Sequence, residues 1–176
     1  MTLVELLCVL ALLAILATLA TPGVGSQISR LRIHQSASEL KGALLLARSE
    51  AVRRGEDIKI RKHNVLDHGA CSSIAASDWS CGWIVFLDRN NNGTFEERAP
   101  ITHDSDELLQ VFTPGRGTVV HFSSHASVLT VNRWGALNGI GASFTISSHV
   151  IDSAQGIIIC ISSGGRIRAI DGGVCT

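Results

Sequence analysis

Residues 1–23 read MTLVELLCVLALLAILATLATPG, and this stretch decides what kind of protein the rest of the chain can be. From Leu3 to Thr21 the only charged residue is Glu5. As a helix this segment would be about 28 Å long, close to the thickness of the hydrocarbon core of a bilayer. The sequence therefore predicts a helix that crosses or anchors in a membrane and carries a carboxylate near its start.

The charge pattern predicts that the targeting signal of this segment precedes it. A secretory signal peptide has basic residues before its apolar core and a small-residue cleavage site after it. Here no Lys or Arg precedes Arg30. By the positive-inside rule, a lone span followed by Arg30 and Arg32 would take the wrong orientation. We expect a basic leader upstream of Met1 that is removed before the apolar stretch rather than after it.

The run Met1-Thr2-Leu3-Val4-Glu5-Leu6-Leu7, with Pro22 after it, resembles the start of mature type IV pilins and pseudopilins. The resemblance implies that prepilin peptidase cuts the precursor just before Met1, where the family usually has an N-methylated Phe. It also implies that Glu5 pairs with the N-terminal amine of a neighbouring subunit during assembly. A carboxylate in a membrane helix is costly and therefore points to a function, although snorkelling near a helix end is the alternative. Pro22 would loosen the helix just beyond the bilayer.

Beyond Pro22 the sequence predicts that the helix resumes as an amphipathic segment. Its apolar residues recur at helical spacing, which indicates a face packed on a core. These residues are Leu40, Ala43, Leu44, Ala47 and Ala51. Arg53 and Arg54 followed by Gly55 are typical of a helix C-terminus. We therefore expect a membrane and filament-core helix over residues 1–25, its amphipathic continuation over 26–55, and a head over 56–176.

The head is predicted to consist of short β-strands separated by Gly, Asn, Asp and Pro. The runs rich in Ile, Val, Phe and Thr are Ile58–Arg61, Gly82–Leu87, Leu108–Phe112, Thr118–Phe122, Ser127–Val131, Ser143–Ile146, Gly156–Ile161 and Arg166–Ile170. The expected fold class is α+β and type IV pilin-like, with a long N-terminal helix packed on an antiparallel β head. The run Leu46–Gly55, together with Trp83–Asp88, resembles the GspH/FimT-type domain of minor pilins and pseudopilins.

Five cysteines divide into one in the apolar segment and four in the head. Cys8 has no evident partner and is interpreted as inert packing. An even set in a head outside the cytoplasm favours disulfides. Among the three possible pairings we favour the one that encloses short, turn-rich segments, Cys71–Cys81 with Cys160–Cys175. A zinc site made of the four thiolates is the competing interpretation, but the C-x₂₋₄-C spacing is missing.

The segment Asp88–Glu96 resembles half of a calcium-binding loop in which Asp88, Asn90 and Asn92 would be ligands. The bidentate acid of such a loop is missing, since Ala99 stands at its position. A turn after the preceding strand is the interpretation we favour, because Asp and Asn bond readily to nearby backbone. The sequence shows no nucleophile elbow, phosphate-binding loop or dinucleotide motif. We therefore expect no enzyme, no cofactor and no metal.

The charges balance, with 15 Lys+Arg against 15 Asp+Glu, which argues against a protein that coats nucleic acid with its whole surface. Residues 1–55 carry six basic and three acidic residues, so the remainder of the chain has a net charge of −3. An anion-binding function in the head must therefore depend on a local cluster. One such cluster is Gly164-Gly165-Arg166-Ile167-Arg168.

In an extended strand Arg166 and Arg168 project from the same face, about 6.6 Å apart, and Ile167 turns inward. Guanidinium groups bind phosphate bidentately. The motif resembles the G-R-x-R of FimT-type minor pilins, which bind DNA during natural transformation. The resemblance implies a minor pilin that binds the phosphate backbone of DNA without sequence preference. The residues it implies are Gly165, Arg166 and Arg168. Arg133 and Arg116 are weaker candidates outside the motif.

Two alternatives stay open. The chain could be a FimU-like structural minor pilin that primes pilus assembly and binds no nucleic acid, or a GspH-like minor pseudopilin of type II secretion. In each case the expected partners are other pilin subunits and the inner membrane. We expect a single-pass inner-membrane protein with its head in the periplasm, which enters the pilus on assembly.

Overall fold

The computed structural model of the chain describes residues 2–20, 24–62, 75–96, 105–137, 141–149, 151 and 155–175. Helix α1 is Leu3–Ala20 and helix α2 is Val24–Arg54. The strands are β1 Ile58–Lys62, β2 Trp83–Leu87, β3 Glu107–Phe112, β4 Thr118–Phe122, β5 Val128–Val131, β6 Ala142–Ser148, β7 Ile157–Ile161 and β8 Ile167–Asp171. The α+β class is confirmed, and each predicted strand matches an observed one with ends shifted by at most two residues.

Helix α1 begins with a cap made by its own sequence. The backbone N–H of Glu5 donates to the Thr2 carbonyl oxygen at 3.1 Å and to the Thr2 hydroxyl oxygen at 3.4 Å. Thr2 thus occupies the N-cap position and Glu5 the N3 position, and the Thr2 hydroxyl makes one of the two bonds of a capping box. No helix among the described residues is both long and apolar enough to cross a membrane. The predicted span Leu3–Thr21 extends to Thr21, which lies outside the described residues, and it stays a prediction.

Helix α2 packs on the strands through the predicted apolar stripe. The five residues of that stripe, which are completely buried, are Leu40, Ala43, Leu44, Ala47 and Ala51. Three of them are alanines, so the helix can lie close to the strands. Gly55 has a φ of 71°, and its N–H donates to the Ala51 carbonyl oxygen at 2.9 Å. This left-handed glycine ends the helix where the sequence predicts.

The strands form two four-stranded antiparallel sheets, with the orders β3-β2-β1-β5 and β4-β6-β7-β8. In the second sheet β8 is an edge strand paired with β7, where Arg168 lies opposite Cys160. Both sheets and α2 enclose one apolar core, whose first residue along the chain is Ile33. The side chains described in α1 are exposed and take no part in this core. Residues 24–176 therefore contain the whole described core and can be tested as a folded fragment.

Candidate nucleic-acid interface

The predicted Gly-Arg cluster lies at the turn between β7 and β8. Ser162 closes this turn: its carbonyl oxygen accepts the Gly165 N–H at 2.9 Å, and its hydroxyl oxygen accepts the Arg166 N–H at 3.0 Å. The Ser162 N–H in turn donates to the Arg166 carbonyl oxygen at 3.0 Å. Gly165 has a φ of 79°, which a residue with a β-carbon adopts only with strain. The turn therefore fixes the position from which the Arg166 side chain extends.

Arg166 and Arg168 line one groove of about 640 Å³, which we call the arginine groove. The groove also includes Cys160 and Cys175, which are joined in a disulfide with a Cα–Cα distance of 5.6 Å. No Asp or Glu is among its described lining residues. Ile167, between the two arginines, packs against the core instead. Two guanidinium groups thus line one face of the head beside a covalent cross-link.

Arg48 of α2 fixes the Gly165 turn to the helix. Its Nη1 donates to the Gly165 carbonyl oxygen at 3.0 Å. A β-carbon at Gly135 would lie 3.0 Å from the same Arg48 side chain. Arg48 therefore joins the Gly165 turn to the turn that contains Gly135, and its role is structural.

That second turn, which follows β5, brings Arg133 and Trp134 to the same end of the head. The side-chain oxygen of Asn132 accepts the N–H groups of Trp134 and Ala136, each at 3.0 Å. Trp134 is 81% exposed, whereas the other two tryptophans are completely buried. Sequence reasoning named Arg133 and missed Trp134. The available signal was a large aromatic residue in the turn sequence Asn-Arg-Trp-Gly, where no strand pattern would bury it.

Arg116 lies elsewhere. Its carbonyl oxygen accepts a hydrogen bond from Nη1 of Arg32 at 3.1 Å, whereas the Gly-Arg turn is bonded to Arg48. Arg32 and Arg48 are sixteen residues apart on α2, which is about 24 Å along a helix axis. The turn that carries Arg133 therefore contacts the Gly165 turn, whereas Arg116 lies far from it.

The segment that resembles half a calcium loop uses its polar groups internally. The Asp88 carboxylate accepts the N–H groups of Asn92 at 3.2 Å and of Gly93 at 2.7 Å. Asn90 Oδ1 accepts the same Asn92 N–H at 3.0 Å. Within the described ranges, no three His, Cys, Asp or Glu residues form a group that could hold a metal. These bonds are those of an Asx-stabilised turn, and nothing in the geometry supports the calcium alternative.

Three of the remaining predicted site residues, Met1, Pro22 and Cys71, lie outside the described part of the chain. Cys81 is bonded in a disulfide, and its predicted pairing with Cys71 stays a prediction. Glu5 is exposed in the first turn of α1. There a carboxylate also favours the helix dipole, a role that the sequence analysis did not consider.

Ion pairs at the C-terminal end of α2 produce pKa shifts in the head. Arg54 donates to the two carboxylate oxygens of Glu107 at 2.6 and 2.8 Å, and to Glu50 at 2.7 Å. Hydrogen bonds from Arg53 and Arg54 lower the pKa of Glu50 to about 2. The hydrogen bond from Arg54 also lowers the pKa of Glu107. Arg53 and Arg54 are therefore neutralised by carboxylates, and we assign them a structural role at the end of the helix.

The family model described as type II transport protein GspH matches residues 36–165 of this chain. Among solved structures, the type IV minor pilin FimU of Pseudomonas aeruginosa aligns with a TM-score of 0.55 at 23% identity, covering 79% of this chain and 88% of that one. The minor pseudopilin EpsH from the type II secretion system of Vibrio cholerae aligns with a TM-score of 0.54 at 13% identity, covering 82% of this chain and 99% of that one. At these identities the likeness concerns the fold. No curated protein matches the chain.

Proposed function

Because the chain belongs to the GspH family of minor pilins and pseudopilins, we propose that it is a minor type IV pilin whose head binds DNA for uptake. The proposed binding surface consists of the arginine groove with Arg166 and Arg168, extended by Arg133 and Trp134. It contacts the phosphate backbone and reads no sequence. Its position on a pilus would place captured DNA outside the inner membrane, as uptake in natural transformation requires.

The observation that carries this proposal is the pair Arg166 and Arg168 in one groove with no acid among its described lining residues. In a head whose net charge is −3, such a groove is a local region of positive potential. Arg binds phosphate through two parallel hydrogen bonds. Two guanidinium forks along a strand edge therefore suit successive phosphates of a nucleic acid.

Trp134 adds a second kind of contact. An exposed aromatic ring beside a basic groove can stack on a base, and such stacking does not depend on sequence. Since a duplex hides the faces of its bases, Trp134 would act on single strands, frayed ends or gaps. The phosphate contacts of Arg166 and Arg168 apply to duplex and single strand alike.

The test is an anisotropy titration of a labelled duplex with residues 24–176 at several salt concentrations. Two to four neutralised phosphates predict a log–log salt slope of about −2 to −4. Arg166→Ala and Arg168→Ala should each weaken binding to all sequences alike and flatten the slope. Arg30→Ala is the matched control, because it removes one charge from α2 far from the groove. Absence of wild-type binding at low salt, or equal losses in the control, would contradict the proposal.

The alternative is a structural role in assembly, and helix α1 supports it. Nine of its large apolar side chains are more than half exposed: Leu3, Val4, Leu6, Leu7, Val9, Leu10, Leu12, Leu13 and Ile15. A helix that is apolar on all sides requires lipid or other helices around it. We infer that α1 is anchored in the inner membrane when prepilin peptidase cuts before Met1, and that it joins the filament core on assembly. This anchoring would serve a FimU-like pilin or a GspH-like pseudopilin equally, so loss of DNA binding with normal filament incorporation would favour those roles.

A periplasmic head is part of the proposal and can be tested separately. Alkaline phosphatase fused after residue 60 should be active, because it folds only outside the cytoplasm. An inactive fusion, with an active cytoplasmic reporter at the same position, would overturn the topology.

A further inference from the structure

A second basic site lies at the other end of the head, between the first turns of α2 and the start of β4. It is a small pocket of about 120 Å³. The residues that line it are Ser29, Arg32, Arg116, Gly117, Thr118, Ser148 and His149. We propose that this pocket binds a phosphate group, either of inorganic phosphate or of a phospholipid headgroup. The proposal does not depend on DNA binding, because the arginine groove lies about two dozen ångströms away along α2.

The pocket is held in shape by contacts between α2 and the turn before β4. Gly115 donates its N–H to the hydroxyl oxygen of Ser36, a completely buried residue, at 3.3 Å. A β-carbon at Gly115 would lie 3.2 Å from the Arg32 side chain, so the glycine lets Arg32 pack closely against this turn. Nη1 of Arg32 donates a hydrogen bond to the Arg116 carbonyl oxygen at 3.1 Å. Both arginines thus reach the pocket from a rigid backbone.

Thr118 supplies the observation that points to a ligand. It is only 6% exposed, and its hydroxyl oxygen has no hydrogen-bond partner among the described residues. Buried hydroxyls without a partner are uncommon, since most bond to protein atoms or ordered water. Thr118 is one of the residues that line the pocket, so its hydroxyl is a candidate donor to an oxyanion bound there. Ser29 is different, because its hydroxyl already donates to the Gly25 carbonyl oxygen at 3.0 Å.

The positive charge of the pocket favours an anionic ligand. Its described lining includes two guanidinium groups and one imidazole, and no carboxylate. Arg32 uses one N–H donor for its bond to the Arg116 carbonyl oxygen, so its other N–H donors remain available. Arg116 contributes a second guanidinium group. The cavity has room for a tetrahedral oxyanion. A phosphate bridging Arg32 and Arg116, with the Thr118 hydroxyl as a third donor, satisfies the charge, the size and the buried hydroxyl together.

A lipid headgroup is within reach of this pocket. Ser29 is eight residues after Thr21, the end of the predicted membrane segment. Val24 to Ser29 belong to helix α2 and rise about 7.5 Å along its axis, and the step from Thr21 to Val24 spans at most about 11 Å. A phosphate in the headgroup layer could therefore dock against the base of the head. Soluble phosphate offers the same chemistry, and the two sources are separated by experiment.

The experiment is calorimetric titration of inorganic phosphate into residues 24–176 at constant ionic strength. We expect a dissociation constant on the order of 1 mM for a site with two guanidinium groups. Arg32→Ala and Arg116→Ala should weaken binding at least tenfold, whereas Arg30→Ala, which removes an equal charge two residues away on α2, should not. Thr118→Val should also weaken phosphate binding without lowering the melting temperature of the free head, because it replaces an unpartnered hydroxyl by a methyl of similar shape.

A second arm distinguishes the sources. The same proteins are sedimented with phosphatidylcholine vesicles that contain or lack phosphatidylglycerol. If the head pellets with phosphatidylglycerol vesicles and Arg116→Ala abolishes this, the ligand is the lipid headgroup. If the head binds inorganic phosphate but does not pellet with vesicles, the ligand is the soluble anion. No heat of binding with millimolar phosphate, equal losses in Arg30→Ala, or a Thr118→Val variant that is destabilised yet binds normally would overturn the site. The DNA titration tests Arg166 and Arg168, whereas the phosphate titration tests Arg32 and Arg116. The two proposals can therefore fail independently.

Discussion

Gly165 packs against Gly135 so closely that a β-carbon on Gly165 would lie 2.6 Å from the Gly135 carbonyl oxygen. This contact joins two turns that come from different sheets, one after β5 and one before β8. The first turn carries Arg133 and Trp134, and the second carries Arg166. The absence of side chains at the two glycines is therefore what brings the basic and aromatic residues of the proposed interface together.

Gly165→Ala should damage the interface without removing any charge. The new β-carbon meets backbone and must adopt a φ of 79°, which together cost about 1–3 kcal/mol of stability. The Arg166 turn should move away from Arg133, and DNA affinity should fall severalfold. The control is Gly164→Ala, where a β-carbon meets only the Ser162 hydroxyl at 3.9 Å. Equal affinities for the two alanine variants would show that the contact does not position the arginines.

Trp134→Ala should weaken binding to single-stranded DNA about tenfold, because stacking of a base on an aromatic ring contributes about 1–3 kcal/mol. Duplex binding and stability should change little. Trp134→Phe keeps a ring and is the matched control. Fluorescence gives a direct reading, since Trp79 and Trp83 are completely buried, so quenching by DNA reports chiefly on Trp134. If DNA does not quench the fluorescence and Trp134 is shielded from solvent in filaments, the ring instead belongs to a contact between subunits.

Replacing both Cys160 and Cys175 by Ala should lower the free energy of unfolding by about 3 kcal/mol, because the unfolded chain loses a cross-link. The cross-link spans 15 residues. DNA affinity should also fall, since Arg168 lies opposite Cys160 at the sheet edge. Denaturant titration measures the first effect and anisotropy the second. An unchanged unfolding midpoint would refute a stabilising role for this bridge.

The stability of the head should decline in acid because of Glu50. Its pKa is about 2 when folded, against an ordinary value of 4.5. A folded-state pKa below the unfolded value stabilises the protein above the unfolded pKa. That contribution should disappear as the pH falls from about 5 towards 2. Glu107 acts in the same direction, as its pKa is also lowered. Glu50→Gln should flatten the acid limb of a melting-temperature profile, and an unaltered limb would contradict the assignment.

Two roles are proposed for Glu5, and a single substitution can separate them. Glu5→Gln keeps the backbone bond to Thr2 and a side chain that can complete a capping box, but it removes the charge. If the charge pairs with a neighbour's N-terminal amine, this variant should be folded and membrane-bound yet absent from sheared filaments. Normal incorporation of Glu5→Gln, with defects confined to Glu5→Ala, would assign Glu5 to helix capping alone.

Local patterns in the sequence predicted most of the fold. The stripe from Leu40 to Ala51, the helix end at Gly55 and the strands follow from periodicity and turn chemistry, which act over a few residues. The family resemblance drawn from residues 46–55 and 83–88 is confirmed by the GspH match, while the finer likeness to FimT-type pilins stays a prediction. The alternation around Ile167 likewise predicted that Arg166 and Arg168 share one face, and both line the arginine groove.

The sequence by itself therefore determined an apolar helix, an amphipathic helix, eight strands and two arginines on one face. Only the tertiary structure decided that the strands divide into two sheets, that Trp134 lies at the same end of the head as the arginine groove, and that Arg116 belongs to a separate pocket with Arg32. Arg48 and Gly165 are 117 residues apart in the chain, and Arg32 and Arg116 are 84 apart. Periodicity reports which face of an element is buried, but which elements meet is set by packing between distant segments, and a single sequence carries no local signal for that choice.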